Sequence, residues 1–275
     1  MNAPDEWTPE RAARMIARPS AESDKYSRGV LGIVTGSDEY PGAAVLGVSA
    51  ALATGVGMVR YLGPERPAGL VLAACPEVVT AAGRVQAWLA GSGMSSASSS
   101  SSTSSSAVEH LVGDGLPVVL DAGALDLVHD VRSRAVLTPH HREFARLRDL
   151  DPAEVTADPA RCAREGAASL GAVVLLKGHR TLVAAPDGHL IECPPASPWL
   201  ATAGTGDVLA GILGALLATH SEALEADEGG RMLAQLAATA SVVHALAAER
   251  ASAGGPMTTR ALIEAIPATI AGLLA

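Results

Sequence analysis

Cysteine is scarce in this 275-residue sequence, with three residues that lie far apart. They form no C-x-x-C pair, and their odd number and wide spacing argue against a disulfide framework. We therefore expect a reducing compartment, in which Cys75, Cys162 and Cys193 are inert packing residues.

Aromatic residues and positive charge are also scarce. Aromatic residues make up 3% of the chain while 48% is hydrophobic, so small aliphatic side chains must fill the core. Such cores suit helices packed tightly on a parallel sheet. A net charge of −9 without a basic stripe argues against nucleic acid or an anionic membrane as the main partner.

The chain also shows no clear secretory or membrane-spanning segment. Its first 20 residues contain no apolar core of a secretory signal. The most apolar stretch, residues 200–218, contains one Asp and four glycines, and its first part has the composition of a loop. We expect a buried helix there rather than a membrane span, in a soluble cytoplasmic protein.

What the sequence does contain is an alternation of short apolar runs with helical patterns. GVLGIVTG, LPVVLDAGAL and AVVLLKG have the character of strands, and stretches such as AAVLGVSAALATG between them that of helices. The alternation predicts an α/β fold whose mostly parallel sheet carries helices on both faces. Ligands bind such sheets beyond the carboxyl ends of the strands. Polar residues follow several predicted strands there, at 35–37, 91–93, 121, 138–140, 177–178 and 204–207.

The sharpest motif is ATAGTGDVLAGILGALLA. Gly204 and Gly206 permit a tight turn, and the helix that follows points its free N–H groups and positive dipole end at that turn. A phosphate or a developing oxyanion would be held there, and Asp207 would accept a hydroxyl proton. For the motif taken alone, the alternative that Asp207 only caps the helix stays equally open.

Six blocks of the chain together resemble one family. AGTGDVLAGILGALLA resembles the signature of the ribokinase-like superfamily, and more closely that of the ADP/ATP-dependent NAD(P)H-hydrate dehydratases, the YjeF C-terminal domain family. GSDEYPGAAVLGVSAAL, AGSGM, VVLDAGAL, VLTPHHREFARL and VVLLKGHRTLVAAPDG match further blocks of that family in order and spacing, over residues 36–217. The resemblance implies a single-domain, three-layer α/β/α sandwich with a mostly parallel central sheet. It leaves no room for the family's separate epimerase domain, so a stand-alone dehydratase is expected.

The resemblance implies a repair reaction. A (6S) hydrate of NADH or NADPH (NADHX or NADPHX) would be phosphorylated on its ring hydroxyl by ADP or ATP, with Mg²⁺ on the nucleotide, and phosphate would then leave. It makes Asp207 the catalytic base and a contact of the hydrate, and Gly204, Thr205 and Gly206 the anion hole, with Gly206 also contacting nucleotide. The implied nucleotide-binding turn is Lys177, Gly178, His179, Arg180 and Thr181, and the implied substrate contacts are Ala43, Ala44, Gly93 and His140. It also implies a homotetramer.

Some of these residues have simpler interpretations. Taken alone, Lys177 would be a solvated surface lysine, and Ala43 and Ala44 would serve helix packing. Asp121 either orients Mg²⁺ through water or merely ends its strand, and we leave both open. His140, His141 and Glu143 suggest a metal site, but adjacent histidines on a helix diverge, so no protein metal site is expected.

The sequence departs from the family pattern at several positions. His141 and Arg142 replace the usual Pro-Gly, Ser92 replaces the Pro of G-P-G, and Ser197 and Trp199 stand in a segment that usually has N-P-G-M-A. Trp199 would either crowd the nucleotide or stack on its adenine. Two other functions stay open: a ribokinase-like kinase of a vitamin-precursor alcohol, and a non-catalytic nucleotide-binding protein.

The run SSASSSSSTSSS, residues 95–106, has the composition of a flexible linker. Family-like blocks lie on both sides of it, so we expect it to replace helix sequence inside one domain rather than to join two. Serine competes for backbone hydrogen bonds and is a mediocre helix former. We therefore predict a helix that starts late or is poorly ordered near the substrate mouth.

Overall fold

One nine-stranded sheet organises the described parts of the chain, which in this computed structural model are residues 3–94, 102–131 and 134–275. Its strands are β1 (Asp5–Glu6), β2 (Val30–Val34), β3 (Met58–Tyr61), β4 (Ala87–Ala90), β5 (Val118–Leu120), β6 (Ala135–Leu137), β7 (Val173–Leu176), β8 (Leu182–Ala184) and β9 (Leu190–Glu192). Their order in the sheet is β1-β9-β8-β7-β6-β5-β4-β2-β3. Every neighbouring pair is parallel except β7–β8 and β8–β9, which are antiparallel.

Helices connect the strands and cover both faces of the sheet. They are α1 (Pro9–Ala13), α2 (Pro41–Thr54), α3 (Glu65–Ala74), α4 (Ser102–Gly113), α5 (His141–Arg148), α6 (Pro152–Ala157), α7 (Pro159–Leu170), α8 (Thr205–Thr219), α9 (Ser221–Leu224), α10 (Arg231–Ser252) and α11 (Thr259–Leu274), with 3₁₀ helices at Ala122–His129 and Pro198–Leu200.

The core is divided between the two faces of the sheet. Along β2, Leu31 and Ile33 join one buried cluster, while Val30 and Val34 join the other. Helices α2, α8, α10 and α11 supply the first cluster, and α5 and α7 contribute to the second. A strand buried on both faces is typical of a parallel sheet between helical layers. The predicted three-layer α/β/α sandwich is confirmed.

The apolar C-terminal helices lie in this core. Helix α8 starts at Thr205 and is buried from Val208 to Ala218, which confirms the predicted buried helix after a loop. Among the described residues, α10 is long and apolar enough to cross a membrane by length and composition, but 78% of its most apolar window is packed inside the protein. The three cysteines are buried and free of disulfides, and burial raises the pKa of the Cys193 thiol to about 12, so it does not ionise at neutral pH.

Strands β4 and β5, which flank the serine-rich run, are hydrogen-bonded neighbours in the sheet. Helix α4 covers the second part of the run and continues to Gly113. The predicted late or poorly ordered start of this helix concerns residues 95–101, which lie outside the described residues and for which it stays a prediction.

Helices α2 and α8 pack closely because small residues face each other between them. A Cβ atom on Gly211 of α8 would lie 2.3 Å from the backbone oxygen of Gly47 in α2, and 2.9 Å from the Cβ atom of Ala50. Any side chain at position 211 would push the two helices apart. The contact thus fixes how α8 sits over the sheet, and with it the residues at the start of α8.

We expect Gly211→Ala to lower the free energy of unfolding by about 2–3 kcal/mol, because the added methyl group overpacks this contact. Urea denaturation would measure the change. Gly69→Ala is the matched control, since Gly69 lies in α3, where an added Cβ atom would meet no other atom within 4 Å. That control should be neutral or stabilising by up to about 1 kcal/mol. Equal effects of the two substitutions would contradict the packing argument.

Candidate active site

The first turn of α8 presents unsatisfied backbone amides at the sheet edge where the strands end. Gly204 precedes the helix with φ +89°, a left-handed conformation that side chains resist, and no side chain caps the amides that follow. The Thr205 hydroxyl hydrogen-bonds the carbonyls of Leu200 and Thr202, which ties the turn to the preceding loop. The free amides and the helix dipole make this turn a place for an anion.

Asp121, directly after β5, is the hub of a buried polar network. It is 3% exposed, and its carboxylate accepts three hydrogen bonds. Ser92 Oγ donates to Oδ2 at 2.8 Å, and Thr138 Oγ1 and Lys177 Nζ donate to Oδ1 at 2.7 and 3.0 Å. The three donors follow β4, β6 and β7. Asp121 therefore does more than end its strand, because it holds three other side chains in place, while its role toward Mg²⁺ stays a prediction.

Lys177 is not the solvated surface lysine of the simpler interpretation. Its side chain is 22% exposed, and its ammonium lies 3.0 Å from Asp121 and 3.8 Å from Glu143. Burial acts to lower the pKa of Lys177, but these carboxylates outweigh it and hold the pKa above its usual value. A Cβ atom on Gly206 would be 3.6 Å from Nζ. A fixed positive charge therefore stands beside the first turn of α8.

Asp207 lies in that same first turn, and its pKa is raised above the usual value of an aspartate. Burial, reinforced by the negative charge of Asp121, raises the pKa of Asp207 to about 6, although a hydrogen bond with Ser92 and the charge of Lys177 act in the opposite direction. A carboxylate with such a pKa is ionised at neutral pH and yet holds a proton far better than an exposed aspartate. The structure thus places a base-competent group beside the anion-binding amides.

A cavity of about 680 Å³ opens next to these groups. Its size is that of pockets that hold cofactors and small ligands. It is lined by residues that precede α5, of the turn after β7, of the loop before α8, of the start of α8 and of α10: His140, Lys177, Gly178, His179, Thr181, Ala196, Ser197, Pro198, Leu200, Ala201, Thr205, Gly206, Leu209, Ser241 and His244. The turn predicted to bind nucleotide thus meets the predicted anion hole across one cavity.

Arg180 is the exception in that turn. It is not among the residues that line the cavity, and its guanidinium pairs with Glu192 at 2.8 Å on the surface. Its predicted nucleotide contact would need that pair to open.

The predicted substrate contacts divide between two places. His140 lines the cavity and caps α5, its Nδ1 accepting from the Glu143 amide while Glu143 accepts from the His140 amide. Ala43 packs against Gly93, where a Cβ atom would come within 2.6 Å of the Ala43 methyl group. Ala44 is fully buried against Gly36, in agreement with its packing interpretation. Gly93 follows Ser92, and neither Ala43 nor Gly93 is among the residues that line the cavity.

The described residues of this site offer no set of ligands for a metal ion held by the protein alone. Among the residues that the structure describes, no three His, Cys, Asp or Glu side chains cluster as ligands. The carboxylates of Asp121 and Glu143 face Lys177 instead. The residues present do not fit a metal cage. Magnesium ions are often held largely by substrate phosphates and water.

Several site residues were missed in the sequence. Ser92 and Thr138 stood among the polar residues after strands, but nothing in the sequence indicated that both would bond Asp121. Ser241 and His244 lie one turn apart in the Ala-rich helix α10, and only their polarity within an apolar helix could have pointed to them. Both line the cavity.

The fold and this site define a class: an α/β protein of the ribokinase-like type, whose helix start can hold an anion beside a carboxylate base. The family model described as NAD(P)H-hydrate dehydratase matches residues 31–268. The chain belongs to this family.

Similar proteins and solved structures agree with this family assignment. The chain is 44% identical over 220 residues to the bifunctional NAD(P)H-hydrate repair enzyme Nnr of Mycobacterium leprae, covering 76% of this chain and 45% of that enzyme. It thus spans about half the length of such bifunctional relatives. It is 37% identical to the ADP-dependent (S)-NAD(P)H-hydrate dehydratase of Neisseria meningitidis, covering 77% of each. The Bacillus subtilis ADP/ATP-dependent NAD(P)H-hydrate dehydratase, co-crystallised with ATP and Mg²⁺, superposes with a TM-score of 0.86 at 28% identity over 99% of each chain.

We expect Asp121→Asn to lower the pKa of Asp207 below about 6, because it removes a negative charge that disfavours ionisation of Asp207. A carboxyl-carbon NMR titration would measure this pKa. Asp126→Asn is the control, since Asp126 pairs with Arg146 on the surface. It should leave the titration of Asp207 unchanged. An Asp207 pKa that stays the same in Asp121→Asn would contradict the coupling.

Proposed function

We propose that this protein dehydrates the (6S) hydrates of NADH and NADPH, using ADP or ATP as phosphoryl donor. The observation that carries the proposal is the raised pKa of Asp207 at a helix start that also offers free amides and the ammonium of Lys177. Membership of the NAD(P)H-hydrate dehydratase family supports it, as do the names of the relatives from Neisseria and Bacillus.

The residues divide the work as follows. Asp207 takes the proton of the ring hydroxyl while the hydroxyl oxygen attacks the terminal phosphorus of the nucleotide. The bond between that phosphorus and the bridging oxygen breaks as the new bond forms. AMP leaves when the donor is ADP, and ADP leaves when it is ATP. The amides at Gly204, Thr205 and Gly206 and the charge of Lys177 stabilise the transferring phosphoryl group.

The second half of the reaction is an elimination. The ring carbon–oxygen bond breaks, phosphate departs with the bonding electrons, and the neighbouring ring carbon loses a proton to the departing phosphate or to water. The product regains the conjugated dihydropyridine, which favours the elimination. The corner formed by Ala43 and Gly93 would admit a flat ring close to Asp207, because small side chains line it.

The remaining expectations are part of the same proposal. They comprise nucleotide contacts from Lys177, Gly178, His179, Arg180 and Thr181, a substrate contact from His140, a homotetrameric assembly and a cytoplasmic location. The cavity lining supports the contacts of Lys177, Gly178, His179, Thr181 and His140.

An assay with the hydrate of NADH tests the proposal directly. Incubation with Mg²⁺ and either ADP or ATP should restore the absorbance of the dihydronicotinamide ring and release one phosphate for each ring restored. The matched reaction without nucleotide should show no recovery. Failure with both nucleotides would refute the proposed function, and nucleotide turnover with an unrelated small alcohol would favour a kinase.

We expect Asp207→Asn to abolish turnover while nucleotide binding, measured by calorimetry, is largely retained, because the amide cannot accept the hydroxyl proton. In the unmodified protein, kcat/KM should fall about tenfold per pH unit below about pH 6, as Asp207 becomes protonated. Asp130→Asn, at an exposed position outside the cavity lining, is the control and should keep full activity. Normal turnover in Asp207→Asn would exclude Asp207 as the base.

A further inference from the structure

His244 is a buried imidazole in the wall of the 680 Å³ cavity. It lies in α10, one turn after Ser241, and is 8% exposed. Its Nε2 atom is buried and has no hydrogen-bond partner among the described residues. An unsatisfied buried polar atom destabilises a fold. A ligand that donates a hydrogen bond to this atom would remove that cost on binding.

The other histidines of the cavity are in a different situation. His140 and His179 also line it, but the His140 side chain is 53% exposed and His179 is exposed as well. The Nδ1 atom of His140 accepts from the Glu143 amide, and both rings are open to solvent. Of these three rings, only that of His244 has a buried nitrogen atom without a partner.

The chemistry of the missing partner follows from the charge state of His244. Burial, together with the charge of Lys177, lowers the pKa of His244 to about 4, although a hydrogen bond to the backbone carbonyl of Thr205 acts to raise it. The ring is therefore neutral at physiological pH. A neutral imidazole that donates its one N–H to a carbonyl offers its second nitrogen as an acceptor. The missing partner is a hydrogen-bond donor, which excludes a phosphate.

The position of His244 narrows the choice of donor. The ring contacts the backbone of Thr205, which is the first residue of α8. If the proposed function is correct, the phosphates of the nucleotide lie at this helix start. The part of a nucleoside diphosphate attached directly to the phosphates is the ribose, and its hydroxyl groups are donors. The amino group of adenine lies farther from the phosphates.

We propose that the imidazole of His244 accepts a hydrogen bond from a ribose hydroxyl of the bound nucleoside diphosphate, and thereby selects ribonucleotides over deoxyribonucleotides. This assignment rests on the proposed function of the cavity as the nucleotide site. It makes His244 a residue that determines which nucleotide binds and that takes no part in the chemical steps.

Calorimetric titrations with ADP, 2′-deoxy-ADP, 3′-deoxy-ADP and IDP test the assignment without the nicotinamide substrate. The unmodified protein should bind ADP about tenfold more tightly than one of the two deoxy analogues, the usual effect of one hydrogen bond. His244→Phe keeps a ring of similar shape without the acceptor. It should bind ADP about tenfold more weakly and should no longer distinguish ADP from that analogue. His129→Phe, at an exposed position outside the cavity, should keep the discrimination.

Three results would overturn the assignment. The first is equal affinity of the unmodified protein for ADP and both deoxy analogues, and the second is discrimination that persists in His244→Phe. The third is a loss of affinity for IDP alone, which would place the adenine amino group at His244. If His244→Phe does not fold, His244→Leu carries the same expectations. Absence of any nucleotide binding would refute the assignment and the proposed function together. Normal discrimination in a protein inactive on the hydrate would refute the dehydratase function alone.

Discussion

The ion pair between Lys177 and Asp121 is the interaction on which the candidate site depends. It joins the ends of β7 and β5, while Ser92 and Thr138 bring donors to Asp121 from the ends of β4 and β6. Four consecutive strands of the sheet are thus tied at one edge through a single carboxylate. Removing one partner of such a buried pair leaves an uncompensated charge, so the network holds Lys177 in one place.

The topology explains why this pair can reach α8. Parallel strands bring their carboxyl ends to the same edge of the sheet, and β7 is where the order changes from parallel to antiparallel. The chain after β7 therefore turns back at once, and the turn stays at that edge beside the first turn of α8. Contact between Gly211 and Gly47 brings α8 close to α2 and hence to the corner of Ala43 and Gly93. Packing one helical turn after Asp207 thereby sets the spacing of the site.

Much of this arrangement could be predicted from the sequence, because strand–helix alternation and polar residues after strands are local patterns. The buried helix α8 and the polar residues that follow the strands, such as Asp121 and Lys177, were predicted in this way. What could not be predicted depends on side-chain direction and on contacts between distant segments. Ser92 and Lys177 share Asp121 although 85 positions separate them, and Arg180 turns to Glu192 although its neighbours line the cavity.

The departures from the family pattern fit this network instead of breaking it. At position 92 the family's proline would supply no hydroxyl, whereas Ser92 adds a donor to Asp121 and a hydrogen bond that lowers the pKa of Asp207. His141 stands where the pattern has proline, and its Nε2 atom comes within 3.5 Å of where a Gly178 side chain would begin, so it borders the nucleotide-side turn. Trp199 is 42% exposed between Pro198 and Leu200, which line the cavity. These three differences border Asp207, Gly178 and the cavity lining, and they leave Asp207 and Lys177 in place. Because the base and the ammonium are kept, we expect the differences to change how tightly ligands are held and at which pH the base is ionised, and not the type of reaction.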